Sequence, residues 1–326
     1  MVQRATSYGT EATGPSAAES ATAPATAEPS FHVARVPASD GVMLGARSYD
    51  PPEGTPVRAV VVIHGATAVP QGYYARFAQY LSERGYRVVT YDYRGIGASR
   101  TGSIRDERAT MRDWGEHDAT AMFAFARSIA NGLPLVAIGH SFGGQSIGLC
   151  DSWRSVDASV LVGAQFGYWG HWPAPDRWRY AIMWYGLVPV VTTAFGSLPG
   201  WLGLGTDLPK GVARQWARWC RDPDYLMRDE PRARERFTKH AAPTLFFSFS
   251  DDDYAPEHAV RALLALLPRS AHHVRMTPAE AGGPVGHFGY FRPGAESALW
   301  RPTLEWLETT LGQTEMLRTP RDDRSS

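Results

Sequence analysis

The chain has 326 residues, with 33 Lys and Arg against 33 Asp and Glu, and is 44% hydrophobic and 20% charged. A net charge of zero leaves no electrostatic footprint for a nucleic-acid backbone or an anionic membrane. The apolar-to-charged balance excludes a wholly disordered, collagen-like or coiled-coil protein, and the length suits one α/β core with an elaboration.

Residues 1–30, dominated by Ala, Thr, Ser, Glu, Gly and Pro, contain no apolar run of secretory-signal length and read as a disordered tail. The absence of such a signal makes the cytoplasm the default location. Phe31–Pro37 and Val42–Tyr49 form a candidate antiparallel start, followed by a strand at Ala59–Ile63 and a helix at Tyr73–Arg84 closed by Gly85. A strand at Arg87–Tyr91, a helix at Thr110–Ala130 closed by Gly132, a strand at Leu135–Gly139, a helix at Phe142–Cys150 and a strand at Ala158–Gly163 come next. After a long interval the pattern resumes with a strand at Thr244–Ser248, a helix at Pro256–Leu267, a weaker strand at His273–Met276 and a helix at Pro302–Leu311 closed by Gly312. Residues 313–326 read as a second disordered tail. The central strands are rich in Val, Ile and Leu without alternation, as strands buried on both faces are. Strand and helix alternate as in βαβ units, so the expectation is a mainly parallel sheet flanked by helices, built from 31–170 and 241–312.

The interval 171–240 is aromatic-rich and lies between two strands, which predicts an inserted, mainly helical cap. From Tyr180 to Gly205 no side chain is charged, long enough for a membrane span. Pro189, Pro199 and the glycines at 186, 196, 200, 203 and 205 argue against one continuous span. An apolar lid is the reading, with contact at a lipid surface as its variant. Trp172, Trp178, Trp184, Trp201, Trp216 and Trp219, with Phe166, Tyr168, Tyr180, Tyr185 and Phe195, are the candidates to line an apolar pocket or to pack the cap on the core.

Chemistry concentrates at Gly139-His140-Ser141-Phe142-Gly143-Gly144, directly after one strand and before a small-residue helix. This is the G-x-S-x-G turn in which Ser141 takes a strained backbone conformation, and positions 139 and 143 must lack bulk for the helix to fold back on the strand. A serine hydroxyl needs a base and an orienting acid. Later in the chain, Ser250-Asp251-Asp252-Asp253-Tyr254-Ala255-Pro256 follows a strand, and Gly286-His287-Phe288-Gly289 sits in a loop. The loop Tyr91-Asp92-Tyr93-Arg94-Gly95-Ile96-Gly97-Ala98-Ser99 lacks the G-x-G-x-x-G helix opening and the Gly-Lys-Ser/Thr end of phosphate loops, so it reads as a brace with Asp92 and Arg94 paired. The His171…Asp176 spacing of an H-x4-D motif is a chance match. Cys150 and Cys220 are too few for a thiolate metal site and read as free buried thiols; no H-E-x-x-H occurs, so neither metal nor cofactor is expected.

With these motifs the chain resembles the α/β-hydrolase superfamily over about residues 31–312. It is nearest to bacterial esterase- and lipase-like serine hydrolases with a G-H-S-x-G-G turn, a Y-D-Y-R-G-x-G-x-S loop and a late G-H-F-G motif. The resemblance implies Ser141 as nucleophile and His287 as general base. Counting back from Ala255-Pro256, it implies Asp252 as the acid, ahead of Asp251 and then Asp253. The oxyanion donors it implies are Phe142 N–H, after the nucleophile, and Ala66 N–H, from the H-G-x loop at His64-Gly65-Ala66. The implied activity is hydrolysis of an ester or thioester of a hydrophobic acyl or aromatic small molecule. Acyl transfer to another acceptor, a lyase or C–C hydrolase using the same triad, and a non-catalytic binding module are the alternatives that the fold leaves open.

Overall fold

The computed structural model describes residues 29–203 and 205–318. The strands are β1 His32–Pro37, β2 Met43–Tyr49, β3 Ala59–His64, β4 Tyr86–Tyr91, β5 Leu135–His140, β6 Ala158–Val162, β7 Ser197–Leu198, β8 Leu208–Pro209, β9 Thr244–Phe249 and β10 His272–Met276. Eight of them form one sheet in the order β1-β2-β4-β3-β5-β6-β9-β10. β1 and β2 pair antiparallel with each other and β2 with β4, whereas every pairing from β4 through β10 is parallel. The short β7 and β8 pair antiparallel as a separate ribbon.

Side chains alternate across a strand, so a two-sided sheet divides each strand between two cores. Val60 and Val62 of β3, with Leu135 and Ala137 of β5, fall in one cluster with Met122, Phe123 and Ala126 of the helix Thr120–Ala130. Ala59, Val61, Ile63, Val136 and Ile138 fall in the other, beneath Phe77 and Leu81 of the helix Ala75–Ser82 and Leu304 and Leu307 of the helix Arg301–Arg318. All six residues of β3 and of β5 are buried, which explains their unbroken apolar composition.

The expected strands are present to within a residue at either end. The expected helix at Thr110–Ala130 begins at Met111, capped reciprocally by Thr110 and Asp113, and passes through a π-helical turn at Trp114–Ala119. Gly312 does not close the last helix, which continues to Arg318. A single glycine costs an exposed helix only about 1 kcal/mol, which apolar contacts upstream at Leu304, Leu307 and Leu311 offset. Residues 313–318 therefore belong to that helix and not to a tail. Residues 1–28 and 319–326 of the two expected tails lie outside the described residues.

The interval between β6 and β9 contains the helices Asp176–Ile182, Val188–Phe195, Lys210–Cys220 and Ala233–Thr238. Pro189 does not end helical structure. A π-helical turn at Met183–Leu187 joins the first two helices, and Pro189 occupies the first turn of the second, where its missing N–H is tolerated. Trp184, Val188, Leu198, Val212, Trp219 and Phe237 share a core cluster with one face of the sheet, so the interval has no separate core of its own. Its outer side leaves Trp178, Ile182, Tyr185, Val190, Phe195 and Trp201 exposed. Among the described residues no helix is long and apolar enough to cross a membrane. Cys150 and Cys220 are buried and unpaired.

Candidate active site

At the carboxyl end of β5 the chain turns sharply into the helix Phe142–Gln145, and Ser141 between them has φ 52° and ψ −113°. Left-handed φ at a residue bearing a Cβ costs about 1–3 kcal/mol and persists only where its surroundings enforce it. Here Ser141 N–H donates to Val162 O of β6 at 2.9 Å, and Gly144 N–H donates back to Ser141 O at 3.0 Å. A Cβ at Gly143 would lie 2.0 Å from His64 O, and one at Gly139 would lie 2.6 Å from Gly144 N. The glycines thus let the helix approach β3 and β5, as the motif requires. Gly143→Ala is expected to lower stability by about 1–3 kcal/mol, as an overpacking change does, read as a fall in Tm; an unchanged Tm would contradict the close approach.

The three acids after β9 have three different partners. Asp252 Oδ2 lies 2.8 Å from His287 Nδ1, with both side chains buried, while its Oδ1 accepts Tyr254 N–H at 2.8 Å and Ala255 N–H at 2.9 Å. Asp251 Oδ2 accepts Val285 N–H at 2.9 Å and Gly286 N–H at 3.1 Å, which fastens the loop that carries His287. Asp253 offers its backbone carbonyl to the Trp172 indole at 2.8 Å and to the Tyr180 hydroxyl at 3.1 Å. An imidazole that donates from Nδ1 to a carboxylate keeps Nε2 as the nitrogen that accepts a proton.

A buried chain of hydrogen bonds joins the three loops. His140 Nε2 lies 2.9 Å from the His287 carbonyl, its Nδ1 lies 2.9 Å from Tyr74 Oη, and Tyr74 Oη accepts Ala66 N–H at 2.8 Å. A carbonyl only accepts, so Nε2 carries the His140 proton and Nδ1 receives the Tyr74 O–H. Burial holds His140 well below the ordinary imidazole range, and so neutral, and pushes the Tyr74 phenol up. Ala66 lines the same cavity as Ser141, but its amide, the second oxyanion donor that the resemblance implies, is engaged by Tyr74. Phe142 N–H, at the first helical position, has no i−4 carbonyl within its own helix.

Asp92 and Arg94 do not pair. Asp92 accepts the backbone N–H of Gln71 at 2.7 Å and of Ala98 at 2.8 Å, and the Gln71 side chain at 2.9 Å. Arg94 turns instead to Asp118, donating Nε–H at 2.7 Å and its backbone N–H at 2.8 Å, and to Asp40. The loop is still a brace, but one in which the acid fixes backbone and the guanidinium reaches a different helix.

Ser141 and His287 open into a cavity of about 210 Å³ whose wall includes Thr67, Val69, Gln145, Gln165, Trp216, Tyr254 and Phe288. Of the aromatic residues expected to line it, only Trp216 does so. Trp172, Trp184 and Trp219 are buried in packing contacts, while Trp178 and Trp201 face outward. Gly203 and Gly205 add to the wall, and Thr206 N–H donates to Ala68 O at 2.9 Å, so the interval between β6 and β9 lies against the loop after β3. Composition alone does not say which aromatic faces inward, and Tyr74, Gln145 and Gln165 carried no motif that would have selected them.

A family model described as serine aminopeptidase, S33, matches residues 54–198. No curated protein sequence matches the chain. Among solved structures, a soluble variant of monoglyceride lipase from Saccharomyces cerevisiae in complex with a substrate analogue is similar, with a TM-score of 0.60 at 16% identity, over 90% of this chain and 99% of that one. A thermophilic esterase from Thermogutta terrifontis gives 0.54 at 15% over 86% and 99%, and the esterase domain of a Rhodothermus marinus protein gives 0.52 at 16% over 86% and 98%. The sheet order, the family model's match over residues 54–198 and these similarities agree on the architecture: the chain has the α/β-hydrolase fold.

Proposed function

We propose that the chain is a serine hydrolase that cleaves a carboxylic ester through an acyl-enzyme. The observation that supports this best is the convergence of Ser141, on its strained turn, with the His287–Asp252 pair at one cavity. Ser141 Oγ attacks the carbonyl carbon while His287 Nε2 takes its proton; the same nitrogen returns the proton to the departing alkoxide. Water then repeats the sequence on the acyl-enzyme, regenerating the serine and releasing the acid. Asp252 holds the imidazole in the tautomer that leaves Nε2 as acceptor. Phe142 N–H faces the developing oxyanion, and Ala66 N–H contributes by sharing or releasing its bond to Tyr74.

The family model's description raises the competing reading of an aminopeptidase. Such an enzyme needs an anion for the substrate's free amino terminus, and among the described residues the cavity wall contains neither Asp nor Glu. Ester cleavage is therefore the reading favoured here, with an acyl group short enough for about 210 Å³ and apolar contact supplied by Val69, Trp216 and Phe288. A chain-length series of 4-nitrophenyl esters tests it, alongside aminoacyl 4-nitroanilides and a fluorophosphonate label. Ester turnover with labelling at Ser141 is expected. Cleavage of the anilides alone would favour the peptidase, and absence of both turnover and label would remove the enzyme assignment.

A further inference from the structure

Gln145 and Gln165 are buried in the wall of the same cavity and belong to a hydrogen-bond chain whose direction is fixed from one end. The Tyr254 backbone carbonyl can only accept, so the Gln165 group 3.1 Å from it is the amide nitrogen. That turns Gln165 Oε1 towards Gln145, whose Nε2 donates to it at 3.1 Å, and Gln145 Oε1 then accepts the Tyr225 hydroxyl at 2.8 Å. Each primary amide has two N–H groups, and each has spent one. Among the described residues neither has an acceptor for its second. Buried donors are rarely left without partners, and these two border the space that a substrate would fill.

The spacing locates the group they would bind. The Gln145 backbone N–H donates to Ser141 O at 3.2 Å, an i to i−4 bond that sets the two residues about one turn apart, about 6 Å along the axis. We infer that Gln145 and Gln165 form an amide subsite for a second hydrogen-bond acceptor of the substrate, an oxo or carbonyl oxygen some three to five atoms from the scissile carbonyl. This rests on the ester-hydrolase reading above and narrows its substrate class from plain alkyl esters to oxygen-bearing ones.

Two matched pairs test it: 4-nitrophenyl 5-oxohexanoate against 4-nitrophenyl hexanoate for the acyl side, and 4-oxopentyl acetate against pentyl acetate for the alcohol side. In the wild type, kcat/KM should favour the oxo ester of one pair by about tenfold, the discrimination that one or two hydrogen bonds supply. Gln145→Leu and Gln165→Leu should each bring that ratio towards unity, the ratio within one variant being insensitive to how much active protein it contains. Thermal melts identify a variant that has failed to fold, and Gln145→Met then replaces it. Equal rates within both pairs, or a preference that survives both substitutions, would overturn the subsite. If no ester turns over, calorimetric binding of the same four compounds to Ser141→Ala separates the two ideas. A binding preference for an oxo compound that is lost on adding Gln145→Leu keeps the subsite while the hydrolase reading fails, and equal binding within each pair overturns the subsite as well.

Discussion

Replacing Ser141 by Ala is expected to lower turnover of any ester that the wild type cleaves by several orders of magnitude, since members of such a triad act as a unit. The informative companion is the pair Asp252→Asn and Asp251→Asn. An Asn at 252 still occupies the space but can offer an N–H to His287 Nδ1, which stabilises the wrong tautomer; in a comparable triad this change costs about 10⁴ in kcat. Asp251 hydrogen-bonds to the loop that carries His287 through Val285 N–H and Gly286 N–H. Its loss should loosen the loop and reduce kcat far less, with a lower Tm. Steady-state kinetics on one activated ester decides between them. A larger loss at 251 than at 252 would exchange their roles, and near-normal turnover by Ser141→Ala would end the nucleophile assignment.

Acid should destabilise the protein. His64, His140 and His240 are buried, and desolvation holds His64 at about 3, His240 at about 4 and His140 well below the ordinary imidazole value. In the unfolded chain each titrates near 6.5. Below that pH the unfolded state binds protons that the folded state refuses, so stability is fully present above about pH 6.5 and is lost as pH falls towards the folded-state values. Each group contributes a slope of up to about 1.4 kcal/mol per pH unit, and three together about 4. Burial pushes the Asp118 carboxyl up to about 7, which acts with the opposite sign and offsets about one of the three histidines, so a urea midpoint that falls between pH 7.5 and 5 is the expected result. A midpoint that does not move would mean that these histidines exchange protons freely in the folded state.

Buried parallel strands announce themselves, which is why β3, β5, β6 and β9 were legible to within a residue. So was the turn at Ser141, because only a few residue types tolerate its backbone and its close helix contact. The resemblance pointed to Asp252 among three adjacent acids, and the distances support that choice as a proposal. What sequence withheld was long-range partnership. Asp92 and Arg94 are near neighbours in the chain, yet the guanidinium binds Asp118 and Asp40, which no local pattern links to it. The tryptophans after β6 failed as pocket markers for a related reason: periodicity in an interval interrupted by a π-helical turn at Met183–Leu187 does not report one consistent inward face. Gly312 failed as a stop because contacts upstream outweighed its propensity.

The chain Ala66–Tyr74–His140–His287 gives the site an assembly logic beyond its chemistry. Its members come from the loop after β3, the helical segment that follows, the end of β5 and the loop after β10, segments far apart in sequence. A hydroxyl and an imidazole, each able to bond in two directions at once, make one relay out of pieces that a sheet alone would leave independently adjustable. Disturbance at any member is then transmitted to the others. Substitutions at Tyr74 and His140 should accordingly combine non-additively, behaving as damage to a single keystone and not as two separate faults.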